Sequence, residues 1–198
     1  MFRTLVTKLI PLALAFALPV CAQEATPEMT PEQKAEMEAW QQAGTPGATH
    51  AALAKMAGSY DVVVKSWHAP GEPAIEKGTA TRSMLLGDRV MVEEFHSTMM
   101  GQPFTGHGMH GYNNITGKHW STWNDSKSTG IMHSEGSCDS QNACTFTGSW
   151  VEPVKKQMVT SRMTSNWTNP TTEVFEMFAP GPDGKEMRMM EITYSKKP

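Results

Sequence analysis

From Gly58 to the C-terminus the chain alternates with a period of two residues and is broken only by turn signals. The runs are Tyr60–Trp67, Glu76–Leu85, Arg89–Thr98, Phe104–Tyr112, His119–Asn124, Gly130–Ser137, Thr145–Val151, Gln157–Trp167, Thr172–Phe178 and Glu186–Tyr194. Between them lie HAPGEP, LGD, MGQP, NNITG, DSKS, CDSQNAC, TNP and PGPDG, each rich in residues that reverse the chain. About ten short strands in succession, with no helix between them, predict an all-β antiparallel up-and-down barrel. A two-sheet sandwich is the alternative. Alternation is clear in Arg89–Thr98, where Val90, Val92 and Glu94 oppose Met91, Glu93 and Phe95. Elsewhere both faces are mixed, as expected of a barrel with a partly polar lumen.

The segment Met99–Asp125, MMGQPFTGHGMHGYNNITGKHWSTWND, is the densest in glycine. Gly106 and Gly108 share one strand face and Gly111 takes the other. Such spacing suits a strand that bends sharply or lets another backbone approach closely, as in a small closed barrel.

The start of the chain reads as an export signal. Arg3 and Lys8 precede an apolar run, Leu9–Val20, and Val20-Cys21-Ala22 offers a cleavage site after Ala22. That run is too short for a stable membrane span and contains Pro11 and Pro19. Lipidation at Cys21 is a secondary reading, disfavoured by the bulky Val20 before it. Residues 23–47 then form a linker and helical arm. Thr30 is placed to N-cap, Pro31 to open the helix and Gln33 to complete a capping box. Met37 and Trp40 are the arm's only large apolar residues. A second short helix is expected over His50–Ala57, before the barrel domain that completes residues 48–198.

Without residues 1–22, Cys138 and Cys144 are the remaining cysteines. Hairpin-loop spacing in an exported chain predicts a disulfide between them, stabilising by about 2–3 kcal/mol. Loss of Arg3 and Lys8 leaves 15 basic against 20 acidic residues. With no basic stripe carrying interleaved aromatics, nucleic acid is not an expected partner.

Several blocks resemble a bacterial domain-of-unknown-function family, family 1579, whose members have a lipocalin-like (calycin-type) barrel. They are LAKMAGSYDV at Leu53–Val62, LLGDR at Leu85–Arg89, the run Met100–Met132, EVFEMFAPGPDGKEM at Glu173–Met187 and MEITY at Met190–Tyr194. The resemblance spans about Ala48 to Lys197 and brings no established activity. Two departures stand out: Asp88 where the family commonly has glycine, and Asn113 where it commonly has aspartate. The second puts in doubt any role for a carboxylate beside Tyr112.

Among seven histidines, His107, His110, His119 and His133 fall on three successive predicted strands. A four-residue NITG loop pairs His119 with Tyr112, so His110, Tyr112, His119, Ser121 and Trp123 share one face. His107, Trp120 and His133 then share the other. At most two histidines meet at one place, short of the three usual at a catalytic zinc, so no metal is assigned. The 16 methionines, including Met99-Met100 and Met187–Met190, read as soft packing before they read as copper ligands. One of Glu93 and Glu94 must face inward with a cationic partner, for which Arg89, Arg162 and Arg188 are the candidates. No GxSxG, HExxH or phosphate loop is present, and no catalytic residue or cofactor is assigned.

The expected function is noncatalytic binding of a small apolar or amphipathic ligand in the lumen, with Tyr112, His110, His119, Trp123 and Glu94 as its wall. The alternatives are a hydrolase-like or metal-dependent enzyme using lumen His and Glu, and an assembly protein using the N-terminal arm. The expected location is periplasmic or secreted, with homodimerisation left open.

Overall fold

The computed structural model describes residues 28–141, 143–153, 156–181 and 183–198; the export signal expected over residues 1–22 lies outside them. Two helices, α1 (Pro31–Gly44) and α2 (Ala48–Ala54), precede ten strands. These are β1 (Gly58–Ser66), β2 (Ala74–Leu85), β3 (Val90–Met99), β4 (Gln102–Asn113) and β5 (Lys118–Asp125), followed by β6 (Met132–Cys138), β7 (Cys144–Glu152), β8 (Gln157–Asn169), β9 (Thr172–Pro180) and β10 (Glu186–Lys196). Every strand pairs antiparallel with its sequence neighbours, and β1 pairs with β10 to close the barrel. The barrel, not the sandwich, is what forms.

The arm begins as its capping residues require. Thr30 accepts from the Gln33 amide and the Gln33 side chain returns the bond to the Thr30 amide at 2.9 Å. No residue of α1 is buried, and Trp40 is 73% exposed. Only its C-terminal end is tied to the barrel: Arg89 donates to the Gly44 carbonyl at 2.8 Å, and Asn114 donates to the Thr45 carbonyl at 2.8 Å. The second helix ends at Ala54, short of the expected Ala57. It buries His50 and Leu53 against β3 and β4, and so covers the end of the barrel where β1 begins and β4 finishes.

Both departures from the family pattern lie in hairpin turns at that end. Asp88 adopts φ +62°, a left-handed conformation in which glycine has no steric cost. Asn113 accepts at Oδ1 from the amides of Ile115 and Thr116, shaping the NITG loop. An amide oxygen does this as well as a carboxylate. The β6–β7 hairpin carries the expected disulfide: Cys138 and Cys144 are cross-strand partners and are bonded.

The glycines of β4 answer to tryptophan. Gly108 pairs with Trp123, whose indole lies over Gly106 and Gly108 on the inner face. Gly111 pairs with Trp120, whose indole lies over it on the outer face. A methyl group at Gly106 would sit 2.5 Å from Trp123 Cη2 and nearer still to Cζ2. The close approach is that of a side chain, not of another backbone.

The core cluster of Tyr60, Val62, Val64, Ala80, Phe95, Ile192 and Tyr194 comes from β1, β2, β3 and β10, with Trp123 packed against it. An indole cannot retreat as a flexible chain end can. Gly106→Ala is therefore expected to lower stability by about 1–3 kcal/mol in urea unfolding. Gly44→Ala, which meets nothing within 4 Å, should cost nothing measurable.

Candidate functional site

Cross-strand register brings together four of the expected residues. Tyr112 pairs with His119, His110 with Ser121, and Trp123 with Gly108, all on the inward face. Each of the four is partly exposed although it faces the interior. Ring contacts run from His50 on α2 to Tyr112 (5.8 Å), on to His119 (5.0 Å) and then to Phe146 (6.4 Å). Trp123 packs edge-on to Phe95 at 5.9 Å and donates from Nε1 to Asp125 Oδ2 at 3.1 Å. The other Asp125 oxygen accepts from the Lys127 amide, holding the DSKS turn.

Glu94 does not join them. It pairs with Thr81 and His107 on the outer face and is exposed, whereas Glu93 points inward and is 2% exposed. The two are adjacent in an apolar strand, and alternation by itself does not say which face is inside. None of the three expected arginines is the partner. Arg89 holds the helical arm, Arg162 pairs with Glu186, and Arg188 pairs with Glu176 and Glu191, all outside the lumen.

The partner is Arg82, which no motif marked. Its Nε donates to Glu93 Oε2 and its Nη1 to Glu173 Oε2, each at 2.5 Å. Glu93 also accepts from the Tyr194 hydroxyl at 3.2 Å, and Glu173 from the Ser165 hydroxyl at 2.5 Å. All four carboxylate oxygens are thus engaged. The guanidinium lies against the rings of Tyr60 and Tyr194, 4.8 and 4.3 Å from their centroids. The signal that could have found Arg82 is its phase: it falls between Ala80 and Met84 on the inward face of β2.

Burial shapes the titration of these groups. Desolvation opposes ionisation of Glu173, but the Arg82 charge and the Ser165 and Arg82 hydrogen bonds outweigh it and hold the carboxyl below its ordinary value. Desolvation lowers His110, against the pull of Glu93, and keeps the imidazole neutral at pH 7. Desolvation, helped by His50, lowers His119 as well. Desolvation and the Glu93 charge raise the Tyr194 phenol well above its usual range.

Two adjoining rows of cross-strand partners line the inner wall. One runs Met91–His110–Ser121–Ser134–Gly148–Ser161 from β3 to β8. The other runs Tyr112–His119–Gly136–Phe146–Met163–Met177–Met190 from β4 to β10. On each shared strand the rows are two residues apart, about 7 Å along the chain. A polar strip therefore abuts a soft apolar one. Ser121 and Ser134 share a hydrogen bond between hydroxyls, while the Ser161 hydroxyl is buried without a partner among the described residues.

Two grooves of about 350 Å³ are present as well, one over the disulfide hairpin and one along β7–β9 beside Ser161, Arg162 and Glu186. Neither gathers the imidazoles or the buried charges. Among the described residues no group of three or more His, Cys, Asp and Glu side chains is placed to hold a metal ion.

Removing one member of a buried ion cluster strands the others. Arg82→Met should cost about 3–5 kcal/mol in urea unfolding, and adding Glu93→Leu with Glu173→Leu should restore most of it. A carboxyl held below its ordinary 4.5 contributes stability above that pH and loses it as pH falls through the lower folded value. The urea midpoint should therefore fall as pH is lowered below about 4.5, and Glu173→Gln should flatten part of that fall.

No helix among the described residues is long and apolar enough to cross a membrane. The S-type phycobiliprotein lyase of Guillardia theta superposes with a TM-score of 0.54 at 7% identity, over 77% of this chain and 94% of the lyase. A redesigned β-barrel is matched at a TM-score of 0.39 and 11% identity, over 74% of this chain and 96% of that one. No curated protein matches. At 7% identity the likeness to the lyase concerns the fold alone, which is that of a lipocalin-like, calycin-type barrel. The family of proteins of unknown function DUF1579 matches residues 45–196, and the chain belongs to it.

Proposed function

We propose that this is an exported, noncatalytic binding protein that holds a small amphipathic ligand in its barrel lumen. The observation that carries the reading is the pair of adjoining inner rows, one of hydroxyls and imidazole, the other of methionine and aromatic side chains. An apolar wall with a few convergent polar groups is the ordinary make-up of a small-molecule site. Met163, Met177 and Met190 are successive cross-strand neighbours, and flexible thioether chains adapt to varied apolar shapes. Tyr112, His110, His119 and Trp123 supply the partly exposed part of the wall.

The disulfide supports an oxidising compartment, in keeping with the export signal read from residues 1–22. A catalytic reading has little to stand on. Glu94 faces outward, and both oxygens of Glu93 already accept hydrogen bonds. The shared barrel with a phycobiliprotein lyase is compatible with ligand binding and supports nothing narrower.

Native mass spectrometry of protein purified from its own host tests the reading. The expected spectrum contains a chain beginning at Gln23 that carries a small adduct released on denaturation. A chain that never carries an adduct, together with a crystal structure in which side chains fill the lumen, would sink it.

A further inference from the structure

We infer that the serine row is a head-group subsite for an uncharged, hydrogen-bonding ligand end, such as a hydroxyl or an ester carbonyl. The inference rests on the lumen-binding reading and narrows its ligand class.

Three observations lead there. Ser161 is 1% exposed, and its hydroxyl has no hydrogen-bond partner among the described residues. Buried polar groups are nearly always paired, so an orphaned hydroxyl on an inner wall points to a partner from outside the chain. The second observation is a movable filling. Gly148 stands between Ser134 and Ser161 in the row, and the position its missing methyl would take is 2.6 Å from Met163 Cε and 3.1 Å from Ser134 Cβ. The end of an unbranched, flexible methionine is what fills the gap between the two serines, and it can swing aside for a head group.

The third is charge. Two carboxylates, Glu93 and Glu173, face one guanidinium, Arg82, so the cluster has a formal surplus of one negative charge. His110 belongs to the serine row and lies within the field of both carboxylates. An anionic head group would be repelled in this low-dielectric interior. A cationic one would meet carboxylate oxygens that already accept from Arg82, Tyr194 and Ser165, and would lose its hydration for no new bond. A neutral head needs only what the serines and the neutral His110 offer.

Calorimetric titration with three probes of one tail length tests this: 1-monolauroylglycerol, laurate and dodecyltrimethylammonium, each below its aggregation concentration. Monolauroylglycerol should bind about tenfold more tightly than either ion, in line with the penalty for burying an unpaired charge. Ser161→Ala removes a hydroxyl with no hydrogen-bond partner among the described residues, so folding should be intact, while the preference should collapse through weaker monolauroylglycerol binding. Gly148→Ala puts a methyl group where the Met163 chain end now lies and should weaken the same probe, with thermal unfolding as the control for folding. Laurate binding as tightly as monolauroylglycerol, or a preference unchanged in Ser161→Ala, overturns the head-group assignment and leaves lumen binding standing. If none of the three probes binds the unaltered protein, the lumen-binding reading falls, and this inference with it.

Discussion

The Arg82 guanidinium is the point on which the barrel interior depends. It projects from β2, takes Glu93 on β3, and reaches past the Tyr60 and Tyr194 rings to Glu173 on β9. Strands β1 and β10, which carry those two rings, are the pair whose union closes the sheet. One side chain thus ties together both sides of the closure seam. Its charges are nearly out of reach of water, so their stability comes from mutual engagement and from the Tyr194 and Ser165 hydroxyls. The cluster also holds register. A one-residue slip of β2 would turn Arg82 outward and leave two carboxylates buried alone.

That cluster and the aromatic core divide the wall unequally. The core cluster from β1, β2, β3 and β10 fills its own side. Opposite it, β4 to β8 present glycine, serine, histidine and methionine, with Tyr112 and Phe146, in two continuous rows. The division explains why the β4 glycines matter. With no side chains at Gly106 and Gly108, the Trp123 indole can lie flat against the strand and join the core from the far side. The Met163 chain end beside Gly148 and the Ser161 hydroxyl both fall on the side away from the core cluster.

The partly exposed half of the candidate site was legible in the chain. The NITG loop set the pairing of Tyr112 with His119, and strict alternation then carried His110, Ser121 and Trp123 to the same face. The buried half was not. Glu93 and Glu94 are neighbours, and a strand with apolar residues on both faces does not declare its inside. Arg82 sits in TATRSM with no motif beside it, and Glu173 lies near the start of a strand some ninety residues later, joined to Arg82 only through barrel closure. No local pattern joins residues that distant.

By itself the sequence determined what short-range chemistry controls: ten alternating strands, the turns that separate them, the capped helix at Thr30 and the disulfide at Cys138 and Cys144. These depend on backbone preference and on residues within one hairpin of each other. Only the tertiary structure decided which face is the lumen, that Arg82 is the buried counter-charge, and that Ser161 stands unpartnered beside a methionine-filled gap. Those facts arise when β1 meets β10. Closure turns one face of every strand toward a common axis, and side chains from distant parts of the chain must then satisfy one another or be left unsatisfied.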